Sequence, residues 1–122
     1  MITLEDMSSE MKRLSDSIDK ALGSLHQQAK QLADAEHAYR KAIAVAWLEV
    51  RRADEGTAAD KDAQVKSMTA DLRQTRDLAD GLRVAALEAI RSRRTQVSAL
   101  QSLMNAHRAE AEIAKYDGRP GA

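Results

Sequence analysis

The sequence predicts an all-α fold, a long antiparallel two-helix hairpin of the coiled-coil type, and three observations predict it. Apolar residues in the first half recur at alternating steps of three and four. Gly56-Thr57 forms a stop-and-start signal near the middle of the chain. The one proline, Pro120, stands at the far end, so no ring constraint breaks a helix before it. Composition agrees. Of the 122 residues, 31% are charged, 43% hydrophobic and 2% aromatic. That balance suits long helices, not a sheet, and the length holds one small domain.

Helix A is expected over about residues 4–54, which is about 75 Å at the α-helical rise. Its seam runs through Leu4, Met7, Met11, Leu14, Ile18, Ala21, Leu25, Gln28, Leu32, Ala35, Tyr39, Ala42 and Ala46. An average spacing of 3.5 residues imposes a left-handed supercoil against a partner helix. Thr3 with Asp6 reads as a capping box at the start. Gly23-Ser24 raises the alternative of a kink, but the phase continues unbroken from Ile18 to Leu25, which favours a continuous helix.

The turn is expected at 55–57, with Gly56 as the left-handed residue after the helix. Thr57 then caps a second helix, with Asp60 completing its box. Helix B is expected over about 58–116, closed by Gly118 and Pro120 ahead of a short disordered tail at 117–122. Its apolar face is read as Val65, Met68, Leu72, Ala79, Leu82, Ala86, Ala89, Ile90, Val97, Leu100, Leu103, Met104, Ala111 and Ala114. Arg93, Gln96 and His107 intrude on that face. Residues 1–122 thus read as one helical-hairpin domain.

Folding helix B back on helix A pairs residues whose numbers add to about 114. Charge supports this register. Glu5, Asp6, Glu10, Asp16 and Asp19 would face Arg91, Arg93, Arg94 and Arg108. Near the turn, Arg40, Lys41, Arg51 and Arg52 would face Asp60, Asp62, Asp71 and Asp77. Exposed pairs are weak, but together they select a register. A second apolar stripe, Leu22, Ile43, Trp47 and Val50, lies beside the seam. One hairpin cannot cover both stripes, so these four residues are the expected interface of a homodimer or partner complex, giving a four-helix assembly.

Catalytic chemistry finds little support. Cysteine is absent, which removes thiol chemistry and cysteine-ligated zinc. His26, His37 and His107 are far apart, and His107 stands three before Glu110, the reverse of the di-metal helix motif. No phosphate-binding glycine loop or nucleophile elbow occurs. The expectation is a non-enzyme with no cofactor and no metal. Arg83, Arg91, Arg93 and Arg94 could contact phosphates, but nearby aromatics for base stacking are missing and the formal net charge is zero. Nucleic acid is therefore not the favoured partner. The acidic start lacks the features of a signal peptide, and the longest apolar run, 42–48, is too short for a membrane span. Trp47, inside a helix and followed by Leu48-Glu49, does not fit the small secreted hairpins of the WxG family.

Several strings together carry a resemblance: Glu36-His37-Ala38-Tyr39-Arg40-Lys41-Ala42, Ala46-Trp47-Leu48, Gly56-Thr57, the run from Arg76 to Arg83, the run from Ala85 to Arg94, and Gln96 to Gln101. Over about residues 30–115 the chain resembles a family of small coiled-coil proteins of tailed bacteriophages and prophages, especially those of actinobacteria. Genes of that family often lie in the early region, near single-strand annealing or recombination genes. The resemblance implies a protein of the bacterial host's cytoplasm that is not part of the virion, and it brings no catalytic residues. The function expected is contact with an unidentified host or phage protein, as an accessory factor or an inhibitor of a host or defence protein. The alternatives are a DNA-associated recombination accessory using the Arg83–Arg94 face, and a virion assembly or scaffold component.

Overall fold

The computed structural model describes residues 2–117. It is all-helical: α1 (Leu4–Ala53), α2 (Ala58–Met68) and α3 (Ala70–Asp117) follow in order, with no strand among the described residues. The expected stop at Gly118 and Pro120, and residues 118–122 of the expected tail, lie outside them.

Both capping boxes form. The Asp6 amide donates to the Thr3 hydroxyl at 3.1 Å, and the Thr3 amide donates to the Asp6 carboxylate at 3.1 Å. Thr57 and Asp60 repeat the arrangement at 3.1 and 3.0 Å. Each box satisfies amides that a helix start would leave without partners. α1 passes through Gly23 without interruption. It stops one residue early, because Asp54 itself takes a left-handed conformation with φ 47°. Aspartate tolerates that region better than most residues. Gly56 follows at φ 85° and completes the reversal.

The expected single helix B is two helices, and Thr69 divides them. Its hydroxyl donates to the Val65 carbonyl at 2.8 Å, and its amide reaches the same carbonyl at 3.1 Å. Thr75 and Thr95 make the same hydroxyl bond inside α3, and what sets Thr69 apart is its backbone, at φ −108° and ψ 5°. The chain continues directly, since the Arg73 amide donates to the Thr69 carbonyl at 3.0 Å.

Two compact units result, one made of the start of α1 through Gly23 with α3 from Glu88, the other of residues Ser24–Leu87. In the Ser24–Leu87 unit the arms pack antiparallel about the turn. Ala46, Val50 and Val65 are buried together, with Ile43 and Trp47 packed against them. In the other unit Met7, Leu14, Ile90 and Met104 are buried. Every expected seam position of α1 is buried or half-buried. The opposing seam differs from its expected course. Covered positions on α3 run through Arg76, Ala79, Arg83, Ala86, Ile90, Arg93, Val97, Leu100, Met104 and His107, again in steps of three and four. Met68, Leu82 and Leu103, assigned to the seam by hydrophobicity, are exposed.

Candidate interaction surface

The Ser24–Leu87 unit begins at the turn, where Lys61 Nζ bonds the Asp54 carboxylate at 2.6 Å. That bond, followed by Coulombic attraction, holds the Asp54 carboxyl below the usual carboxylate range. It ties α2 back to the turn, and the other ion pairs among the described residues lie within single helices. The expected pairing of charges between arms is otherwise absent at contact distance. Arg40 pairs with Glu36, Lys66 with Asp62, and Arg73 and Arg76 with Asp77. Arg51 lies over the Trp47 ring, 5.2 Å from its centroid. Each of these partners stands one to four residues away on the same helix.

Within the seam of this unit, polar groups occupy two levels. Arg76 lies over the Tyr39 ring at 4.7 Å. Its guanidinium bonds the Asp77 carboxylate, which is the leading cause of its raised pKa. Arg83 donates to the Asp80 carboxylate at 3.2 Å. Its Nε and the Gln28 side-chain oxygen are both enclosed without a hydrogen-bond partner. Hydrophobicity alone passed over Arg76 and Arg83. The strict stepping of three and four back from Ile90 was the signal that locates them.

The two flanks of this seam differ. On one, the sequence-identified stripe is largely covered by the chain itself. Val50 is 3% exposed in the core, and Ile43 and Trp47 pack against it. On the other, Ala38, Lys41, Ala42, Val45, Ala46 and Glu49 of α1 line an open groove with Met68 and Thr69. Its volume is about 440 Å³. Val45 is 46% exposed and Met68 47%, and Leu48 beside the groove is 62% exposed. Further along this unit Leu78 and Leu82, four residues apart and so neighbours on one helical face, are both exposed.

In the unit formed by the start of α1 and the end of α3, Leu22 is half-buried. Met11, Gln101, Met104, Asn105 and Arg108 line a second, smaller groove. Arg91 is exposed and donates to Glu88 at 2.8 Å. Arg93 is half-buried on the seam, and Arg94 is exposed. The expected facing of these arginines by the acids of residues 5–19 is not seen as contact: Glu10 instead bonds Arg13, which lowers the Glu10 pKa and raises that of Arg13. Arg83 belongs to the other unit.

His26 and His37 are exposed, and His107 is half-buried. Among the described residues no three His, Asp or Glu side chains come together as metal ligands, and no helix is long and apolar enough to cross a membrane. No protein-family model, curated protein or solved structure matches the chain.

Proposed function

We propose that this chain works by protein–protein contact and without chemistry of its own. It acts as a homodimer in the cytoplasm of a bacterial host, as a phage accessory factor or as an inhibitor of a host or defence protein. The observation that carries the reading is the apolar surface left open in the Ser24–Leu87 unit, above all Leu78 and Leu82 on α3. Contiguous apolar surface on a small protein marks a contact site. The resemblance of residues 30–115 to phage proteins supports the cellular setting.

The test is affinity capture from phage-infected host lysate with wild type and with Leu78→Ser/Leu82→Ser. A partner retained by wild type and lost from the variant supports the reading. A gel-shift series over salt concentration, with wild type and with Arg91, Arg93 and Arg94 replaced by Ala, examines the DNA alternative. Binding that depends on these arginines and weakens steeply with salt would replace contact with protein by contact with phosphates.

A further inference from the structure

The groove on the flank opposite Trp47 has a charge pattern that selects its occupant. Along α1, Lys41, Val45 and Glu49 are spaced by four residues and share one face. All three line the groove. Lys41 and Glu49 are about 12 Å apart along the helix axis, too far to pair with each other. Among the described residues neither belongs to an ion pair, whereas Arg40, one position away, is satisfied by Glu36. The face therefore has an apolar centre, one positive end and one negative end.

We infer that this groove binds a second copy of the chain, with α1 antiparallel to its counterpart and a two-fold axis at Val45. A two-fold contact uses one surface twice, so residue and counterpart must complement each other. Antiparallel pairing about Val45 brings Lys41 level with the second copy's Glu49, and Glu49 level with the second copy's Lys41. Val45 meets itself at the centre, and Met68 borders the contact. Parallel pairing would oppose like charges and is disfavoured. The small side chains of Ala38 and Ala42 let the two α1 backbones approach closely. This rests on the contact reading above but assigns self-association to the Val45 groove, leaving Leu78 and Leu82 for a different protein.

Light scattering and sedimentation of the full chain over a concentration series test it, with helical content followed by circular dichroism. Wild type should be a dimer at micromolar concentration. Lys41→Glu and Glu49→Lys should each raise the dissociation constant about tenfold at low salt, as two attractive pairs become repulsive. The two single variants mixed together should form a heterodimer, since every opposed pair is then of opposite sign. Lys41→Glu/Glu49→Lys in one chain should dimerise as wild type does. A wild type that stays monomeric would overturn the inference. So would a dimer indifferent to both charge reversals, including one lost only with Trp47→Arg, which would place the contact on the opposite flank. Capture of a partner through Leu78 and Leu82 is a separate readout, so either result can fail without the other.

Discussion

The two flanks of the Ser24–Leu87 seam are alike in hydrophobicity and opposite in fate. One bears Ile43, Trp47 and Val50, the other Val45, Leu48 and Met68. On the first, Val50 enters the core beside Ala46 and Val65, and Arg51 lies over the Trp47 ring. On the second, the same kind of side chain remains in contact with solvent. The difference comes from register. In this unit Val50 stands level with Val65, as Tyr39 does with Arg76, so the arm facing Val50 supplies an apolar neighbour. Val45 and Met68 line the open groove beside Thr69 and stay 46% and 47% exposed. A hydrophobic stripe in a sequence therefore marks surface that needs cover, and only the packing tells whether the chain covers it itself.

Stability measurements on the two flanks test that contrast. The largest effect is expected from Val50→Ala, which should cost about 2 kcal/mol through lost burial and an unfilled space. Val45→Ala should change the stability of the monomer by less than about 0.5 kcal/mol. Denaturant unfolding of both variants at low concentration checks the pair, and equal losses would erase the distinction. Gly56→Ala is next. It forces a side chain onto a left-handed backbone and brings its Cβ to 3.0 Å from that of Asp60. A loss of about 1–2 kcal/mol is expected in thermal melts, because the turn sets the register on which both flanks depend. Thr57→Ala should cost about 1 kcal/mol by removing the cap of α2.

The smallest effect is that of acid. Hydrogen bonds from the Thr3 and Thr57 amides, then from their hydroxyls, hold the Asp6 and Asp60 carboxyls below the usual range. The Lys61 bond does the same for Asp54. Their folded values lie below the unfolded ones, so their contribution is present above about pH 4. It is lost as pH falls through the folded values. Thermal melts between neutral and strongly acidic pH should show a modest loss confined to the acid end. Removing Asp60 by substitution to Asn should reduce that loss.

Much of the fold was legible because its signals are local. The Thr3–Asp6 and Thr57–Asp60 boxes, the Gly56 turn, the continuity of α1 through Gly23 and the seam of α1 all follow from neighbouring residues. Three features depend on what faces a residue, and these were missed. The break at Thr69 lies in its backbone angles, which composition does not reveal. Arg76 and Arg83 occupy seam positions that a hydrophobicity count assigns to leucines and methionines, whereas the intrusion of Arg93 and His107 on that face was legible and both are half-buried. The stripe of Ile43, Trp47 and Val50 was read as an interface; Val50 lies in the core of its own chain, with Ile43 and Trp47 half-buried against it. Ion pairs were expected across the arms because segments read as facing each other carry charges of opposite sign. At the surface a partner one turn away on the same helix is reached at less entropic cost.

Whether the open flank holds two copies together is measured most directly by the solution mass of Val45→Arg beside wild type, by light scattering across micromolar concentrations. Wild type should have the dimer mass and the variant the monomer mass, with helical content unchanged, because Val45 lies outside the core of its own chain. A Val45→Arg protein that keeps the dimer mass would contradict it, since the open flank would then have no part in holding two copies together.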